Sequence, residues 1–84
     1  MNETILITGS NRGIGKAVAL ALAADGYDIV VHCRSRRSEA EAVAEAVRAQ
    51  GRQARVLQFD IADRAACREA LIADIEQHGA YYGA

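Results

Sequence analysis

Apolar positions along this chain alternate between two rhythms, and each switch marks a new element. Ile5-Leu6-Ile7 is a short continuous run, as in a buried strand, and predicts β structure over roughly Thr4 to Thr8. From Gly13 to about Asp25 the spacing lengthens. Ile14, Ala17, Val18, Ala21 and Leu22 fall at i, i+3, i+4, i+7 and i+8, one helical stripe. Gly26 stands where a helix ends in a left-handed turn. Ile29-Val30-Val31 centres a second strand over Asp28 to Arg34, and its β-branched residues without polar alternation suit a strand covered on both faces. Ser38 and Glu41 have the spacing of a capping box and predict a second helix starting at Ser38, with Val43, Ala46, Val47 and Gln50 on its stripe and Gly51 as its stop. The third strand is expected over Arg55 to Phe59. Asp63 then caps a third helix that turns Cys67, Leu71, Ile72 and Ile75 inward and ends at Gly79.

Strands alternating with helices of this length predict an α/β fold with right-handed crossovers. The expected architecture is a Rossmann-type three-layer α/β/α arrangement with a parallel sheet, of which the first βαβαβ(α) half is present. In the 3-2-1-4 strand order the first strand is central, and the tail Ala80 to Ala84 lies where a fourth strand is expected to start. Without that strand the first becomes an open apolar edge. Residues 1–84 are therefore read as the N-terminal mononucleotide-binding half of a dinucleotide-binding domain, with the rest of the domain absent.

Composition narrows the picture a little. Eighty-four residues make one small domain, and a hydrophobic fraction of 51% suits a packed fold rather than disorder. A formal net charge of −1 gives no pull toward nucleic acid or an anionic membrane, and no apolar run approaches the ~20 residues that cross a bilayer. Cys33 and Cys67 are too few for a disulfide framework and lack metal-ligand spacing, so reduced thiols in a cytoplasmic protein are expected, with no metal. The N-terminus carries no cationic leader.

The chemistry sits in Thr8-Gly9-Ser10-Asn11-Arg12-Gly13-Ile14-Gly15, between the first strand and the first helix. Helix-start N–H groups have no partner inside the helix, and the helix dipole adds positive potential there, so this turn suits a phosphate. The spacing is Gly-x-x-x-Gly-x-Gly. It is not a P-loop, because five residues separate Gly9 from Gly15 and Ala17 follows Lys16 where a hydroxyl residue is needed. Gly9 permits the turn and Gly15 permits close packing of helix on strand. Ser10, Asn11 and Arg12 are expected to line the phosphate and ribose side, Gly13 and Ile14 to offer N–H groups to a pyrophosphate, and Thr8 to fix the turn through its hydroxyl.

Thr8 to Gly15, together with His32-Cys33-Arg34-Ser35 and Phe59-Asp60-Ile61, resembles the short-chain dehydrogenase/reductase family over the whole chain. Within it, Ser10 to Lys16 looks most like the bacterial 3-oxoacyl-acyl-carrier-protein reductases. The resemblance implies an adenine-binding role for Asp60 and Ile61, against a plain turn or cap role for Asp60. The end of the second strand bears on the cofactor. An acid there would hold both ribose hydroxyls of NAD, whereas Cys33-Arg34-Ser35-Arg36-Arg37 has none. Arg34 suits a 2′-phosphate, flanked by Arg12 and helped by the Ser35 hydroxyl, so NADP(H) is expected. Arg36 and Arg37 are read as solvated, and His32 as a satisfied core residue.

The resemblance further implies a catalytic Ser, Tyr and Lys, with an Asn, beyond a fourth strand. Lys16 is the one lysine in the chain, and none follows Tyr81 or Tyr82 at the four-residue spacing, so this chain alone is expected to be inactive. The whole protein is then an NADPH-dependent reductase converting a 3-oxoacyl-acyl-carrier-protein thioester to its 3-hydroxyacyl form in fatty acid synthesis, as a homo-oligomer. The alternative is a non-enzymatic NADP(H)-binding or docking half-domain. Against it, Thr4 to Thr8 carries no Lys, Pro or bulge to protect an edge.

Overall fold

The second strand is the spine of the molecule: all six residues of Asp28–Cys33 are buried. The structure is a computed structural model that describes residues 3–11, 13–79 and 81. Its elements run β1 (Thr4–Ile7), α1 (Gly13–Ala24), β2 (Asp28–Cys33), α2 (Arg37–Ala49), β3 (Ala54–Gln58) and α3 (Arg64–His78). The three strands form one sheet in the order β1-β2-β3. Both pairings are parallel, with Leu6 opposite Val30, Ile7 opposite Val31 and Val31 opposite Val56. This is the expected α/β half, and β2 is covered on both faces as its unbroken β-branched centre requires.

One face of the sheet carries the core. Ile29, Val31 and Cys33 pack with Ala19 and Ala23 of α1 and with Ala40, Val43, Ala44 and Val47 of α2. Ile7, Ala54 and Val56 extend the cluster from the flanking strands. Small residues on the helices let their backbones approach the sheet closely, and dispersion contacts then act over many atoms.

The inward face of α1 differs from the expected stripe. Ala19 and Ala23 are buried, whereas Ile14 is 84% exposed and Val18 is 40% exposed. Ala17 and Ala21 are exposed too, and of the predicted set Leu22 alone reaches the core, from its margin. The helix is apolar nearly all round, with Lys16 its one charged residue, so periodicity does not select a face. The close fit of Gly15 does. A Cβ at Gly15 would lie 2.6 Å from the Gly9 carbonyl oxygen, so the helix start is pressed against the turn that precedes it.

The start of α2 also departs from expectation. Its N-cap is Arg36, in the left-handed region at φ 56 and ψ 52, with no side-chain cap hydrogen bond. Ser38 and Glu41 form no capping box, because the helix has already begun at Arg37. Glu41 instead accepts from Arg37 Nε one turn back, at 3.3 Å. The stripe holds at Val43 and Val47, but Ala40 and Ala44 complete it while Gln50 is exposed.

α3 lies against the other face. Arg55 alternates along β3 with Ala54 and Val56, so it points away from α1 and α2. Its Nε and a terminal nitrogen each lie 2.7 Å from Asp74 of α3 in a two-pronged ion pair. The Tyr81 hydroxyl donates to the same carboxylate. Asp74 is the one buried residue of α3. Ile72 and Ile75, expected inward, are 44% and 39% exposed. The seam is organised by the ion pair rather than by an apolar stripe. Asp63 caps α3 as expected, its side chain accepting from the Ala66 N–H, and Gly79 closes the helix at φ 91. Apart from Tyr81, the expected start of a fourth strand at Ala80 to Ala84 lies outside the described residues.

Two predictions follow from these contacts. Burial opposes the charged form of Asp74, but hydrogen bonds from Arg55 and Tyr81 outweigh it and hold the carboxyl below its usual range. Burial and the Asp74 carboxylate push Tyr81 up to about 12. The Asp74 contribution to stability is therefore complete above roughly pH 4 and lost as pH falls through its depressed value. The Tyr81 contribution is complete below roughly pH 10 and lost as pH rises toward about 12. Denaturant titrations across pH should show both declines, and Tyr81→Phe should abolish the alkaline one at a cost of about 1 kcal/mol. Gly15→Ala, which meets backbone and cannot be relieved by a rotamer, should destabilise by about 2 kcal/mol in the same assay.

Candidate functional site

Parallel strands place all their C-terminal ends at one edge of the sheet, and the loops leaving β1, β2 and β3 meet there. They enclose an open cleft of about 400 Å³. Thr8, Gly9 and Asn11 line it from the first loop, His32 from below, Arg34, Ser35 and Arg36 from the second, and Asp60 and Ile61 from the third. Seven residues of the sequence-derived set, Gly9, Ser10, Asn11, Arg34, Ser35, Asp60 and Ile61, are thus brought to this edge, with Ser10 beneath it rather than in its wall. Gly13, Ile14 and Gly15 form the adjoining helix start, and Arg12 lies outside the described residues.

The glycine turn needs conformations that only glycine adopts readily. Gly9 and Gly13 sit at φ +63 and φ +65, and nothing lies within 4 Å of where a Cβ would stand on either. Ser10 does not present its hydroxyl to the cleft. It is completely buried; its Oγ donates to the Ile7 carbonyl at 2.7 Å and accepts from the His32 N–H at 3.1 Å. The Ser10 N–H donates to the His32 carbonyl at 3.1 Å. The expectation that Ser10 lines the phosphate side gives way to a bracing role, because both its polar groups are already committed inside the protein. Its hydroxyl braces the turn in the manner expected of Thr8, which faces the cleft. Asn11 donates from Nδ2 to Glu39 Oε1 at 3.2 Å, tying the turn to the first turn of α2.

The charged side of the cleft comes from the loop after β2. Arg34 is well exposed, and its Nε lies 3.5 Å from Asp60 Oδ2. Asp60 serves as a turn residue as well: Oδ1 accepts from the Ala62 N–H at 2.9 Å and its carbonyl accepts from the Asp63 N–H. Arg36, read from sequence as solvated, lines the cleft beside Arg34, while Arg37 pairs with Glu41 elsewhere. Arg36 has a left-handed backbone, and its guanidinium lies 3.7 Å from Glu39 Oε2. Cys33 is buried beneath, and burial pushes its thiol up against an opposing pull from Arg37, which disfavours the thiolate.

Glu39 was not singled out from the sequence, whereas His32 is the satisfied core residue expected, with partners the sequence did not name. Glu39 bridges Asn11 and Arg36, and its signal was position: an acid three residues after the arginine that caps α2. The His32 ring accepts from the Gly9 N–H at Nδ1 and contacts the Phe59 carbonyl through Nε2, at 2.9 and 2.8 Å. Nothing in local spacing announces this, since both partners are remote in sequence. Among the described residues no group of three or more His, Cys, Asp or Glu could hold a metal ion, and no helix is long and apolar enough to cross a membrane.

Known proteins share this arrangement. Residues 3–81 match the short chain dehydrogenase family. The chain is 69% identical over 83 residues to the 3-oxoacyl-acyl-carrier-protein reductase FabG of Aggregatibacter actinomycetemcomitans, covering 99% of this chain and 34% of that protein. It is 35% identical over 79 residues to FabG of Staphylococcus epidermidis, covering 94% of this chain and 32% of that protein. Among solved structures, the acetoin dehydrogenase of Enterobacter cloacae superposes with a TM-score of 0.88 at 33% identity, over 96% of this chain and 32% of that one. A dehydrogenase of Burkholderia cenocepacia with bound NADP superposes with a TM-score of 0.87 at 29% identity, over 95% of this chain and 31% of that one. The chain thus spans about a third of the length of the relatives it matches. With that match over nearly its full length, and with its parallel sheet and glycine turn, the chain belongs to the short-chain dehydrogenase family of oxidoreductases.

Proposed function

We propose that the cleft holds the adenosine half of NADP(H), and that the 84 residues are the N-terminal mononucleotide-binding half of a dinucleotide-binding domain. The observation that carries this reading is the meeting of Arg34 and the glycine turn at one cleft. The N–H groups at the start of α1, which have no partner within the helix, and the open space over Gly9 and Gly13 suit a pyrophosphate. Asp60 and Ile61 stand where an adenine would sit, and Arg34, with Ser35 and Arg36 beside it, would face a 2′-phosphate. Arg12 is proposed as its second cationic neighbour. The Arg34–Asp60 pair does not stand in the way. Exposed ion pairs contribute about 0–1 kcal/mol, whereas hydrogen bonds from a guanidinium to a phosphate contribute about 1.5–3 kcal/mol. A 2′-phosphate would therefore draw Arg34 from Asp60 and leave the carboxylate to an adenine amino group.

For the whole protein we infer an NADPH-dependent reductase acting on a 3-oxoacyl thioester of acyl-carrier protein. The similarity to FabG at 69% identity supports that substrate class. When bound, the cofactor would supply hydride chemistry for a carbonyl, and this chain's residues would anchor and orient its adenosine half. On this proposal the proton-transfer Ser, Tyr and Lys implied by the family would come from elsewhere in the whole protein. A homo-oligomer in the cytoplasm, with neither nucleic acid nor membrane as partner, is part of the same proposal.

Titration of the whole protein with NADPH and NADH tests it. NADPH should bind more tightly, and Arg34→Ser should weaken NADPH by about 10- to 100-fold while leaving NADH nearly unchanged. Equal affinity for the two dinucleotides, or a preference untouched by the substitution, would remove the 2′-phosphate assignment.

A further inference from the structure

We propose that His32 is the positioning residue of this cradle: its ring couples the glycine turn to the loop after β3 and so fixes their spacing. The proposal rests on the NADP(H) reading and adds to it a residue that faces neither the 2′-phosphate nor the reacting carbonyl.

His32 is 2% exposed at the end of β2. Nδ1 lies 2.9 Å from the Gly9 nitrogen and must accept its N–H, so it carries no proton. Nε2 lies 2.8 Å from the Phe59 carbonyl oxygen and must donate to it. The partners therefore select one neutral tautomer, with the proton on Nε2. The backbone of the same residue is paired with Ser10 in both directions, N–H to the Ser10 hydroxyl and carbonyl from the Ser10 N–H. His32 thus holds two successive residues of the glycine turn. On its other side it holds Phe59, which directly precedes Asp60, and the two rings lie 4.3 Å apart at 49°.

The consequence for the cleft is geometric. Gly9 has freedom that other residues lack, and its N–H could point into the cleft or away from it. Drawn inward to the imidazole, it leaves the helix-start N–H groups as the ones facing a phosphate. The Phe59 carbonyl, drawn to the same ring, sets where Asp60 and Ile61 begin. An apolar side chain such as the neighbouring Val30 and Val31 would fill the volume with less desolvation. It would leave the part-buried Gly9 N–H and the buried Phe59 carbonyl without their imidazole partner, in two loops that both line the site.

The test uses the whole protein with His32→Phe and His32→Gln. Phe keeps a ring against Phe59 and removes both polar atoms. Gln carries an acceptor and a donor that restore both contacts. Dissociation constants for NADPH and NADH are measured well below each variant's melting temperature. His32→Phe should weaken both dinucleotides by about tenfold, with their ratio unchanged, and His32→Gln should recover most of that loss. Imidazole nitrogen resonances of the wild-type protein should show a bare Nδ1 and a protonated Nε2. A folded His32→Phe that binds both dinucleotides as the wild type does would overturn the proposal, and so would a proton on Nδ1 in the wild type. Should His32→Phe not fold, the Gln affinities and the wild-type resonances still decide it. A wild-type protein that binds neither dinucleotide would instead overturn the cofactor reading itself.

Discussion

The end of β2 holds the glycine turn in shape, and the rest of the site depends on that hold. Ser10 and His32 exchange backbone and side-chain hydrogen bonds, and the His32 ring takes the Gly9 N–H. Glycine loses more chain entropy on folding than any other residue, about 0.4–1 kcal/mol beyond alanine. Each buried hydrogen bond returns a comparable net amount. The bonds from β2 therefore offset the freedom that Gly9 brings to the turn before α1. β2 can do this because it is the most deeply buried strand of the sheet, flanked by β1 and β3 and covered on both faces.

The chain uses arginine and aspartate in two contrasting ways. Arg55 and Asp74 meet through two contacts of 2.7 Å with Asp74 buried, so removal of either partner would strand a charge. That pair fastens α3 to the sheet. Arg34 and Asp60 face each other at 3.5 Å with most of the Arg34 side chain in solvent. Water screens that pair, and a more highly charged partner can replace either member. Burial separates a permanent fastening from an exchangeable one built from the same two residue types.

Much of this was legible from the residues in order. The run from Thr8 to Gly15 announced a strand, a turn and a helix start, and the unbroken apolar centre of β2 announced a strand covered on both faces. Asp63, Gly26, Gly51 and Gly79 punctuate the helices as local chemistry predicts. These features depend on dihedral preferences and on neighbours a few residues away. Other expectations failed where the deciding contact was remote. Ser38 and Glu41 had the spacing of a cap, but the chain had already turned into the helix at Arg36, in a left-handed conformation tied to Glu39. The third helix looked apolar on its inner side, yet its contact with the sheet is made by Asp74.

Order along the chain determined the alternation of strands and helices, the place of the glycine turn and the positive side of the cleft. Each is set by local periodicity, by glycine and by side-chain charge. Tertiary structure alone decided which face of α1 is buried, that Ser10 turns inward, and that His32 joins the first and third loops. The reason is separation: His32 meets Gly9 and Phe59 across 23 and 27 residues, and Asn11 meets Glu39 across 28. Such contacts arise only when the parallel sheet aligns its strand ends, and no local pattern specifies that alignment.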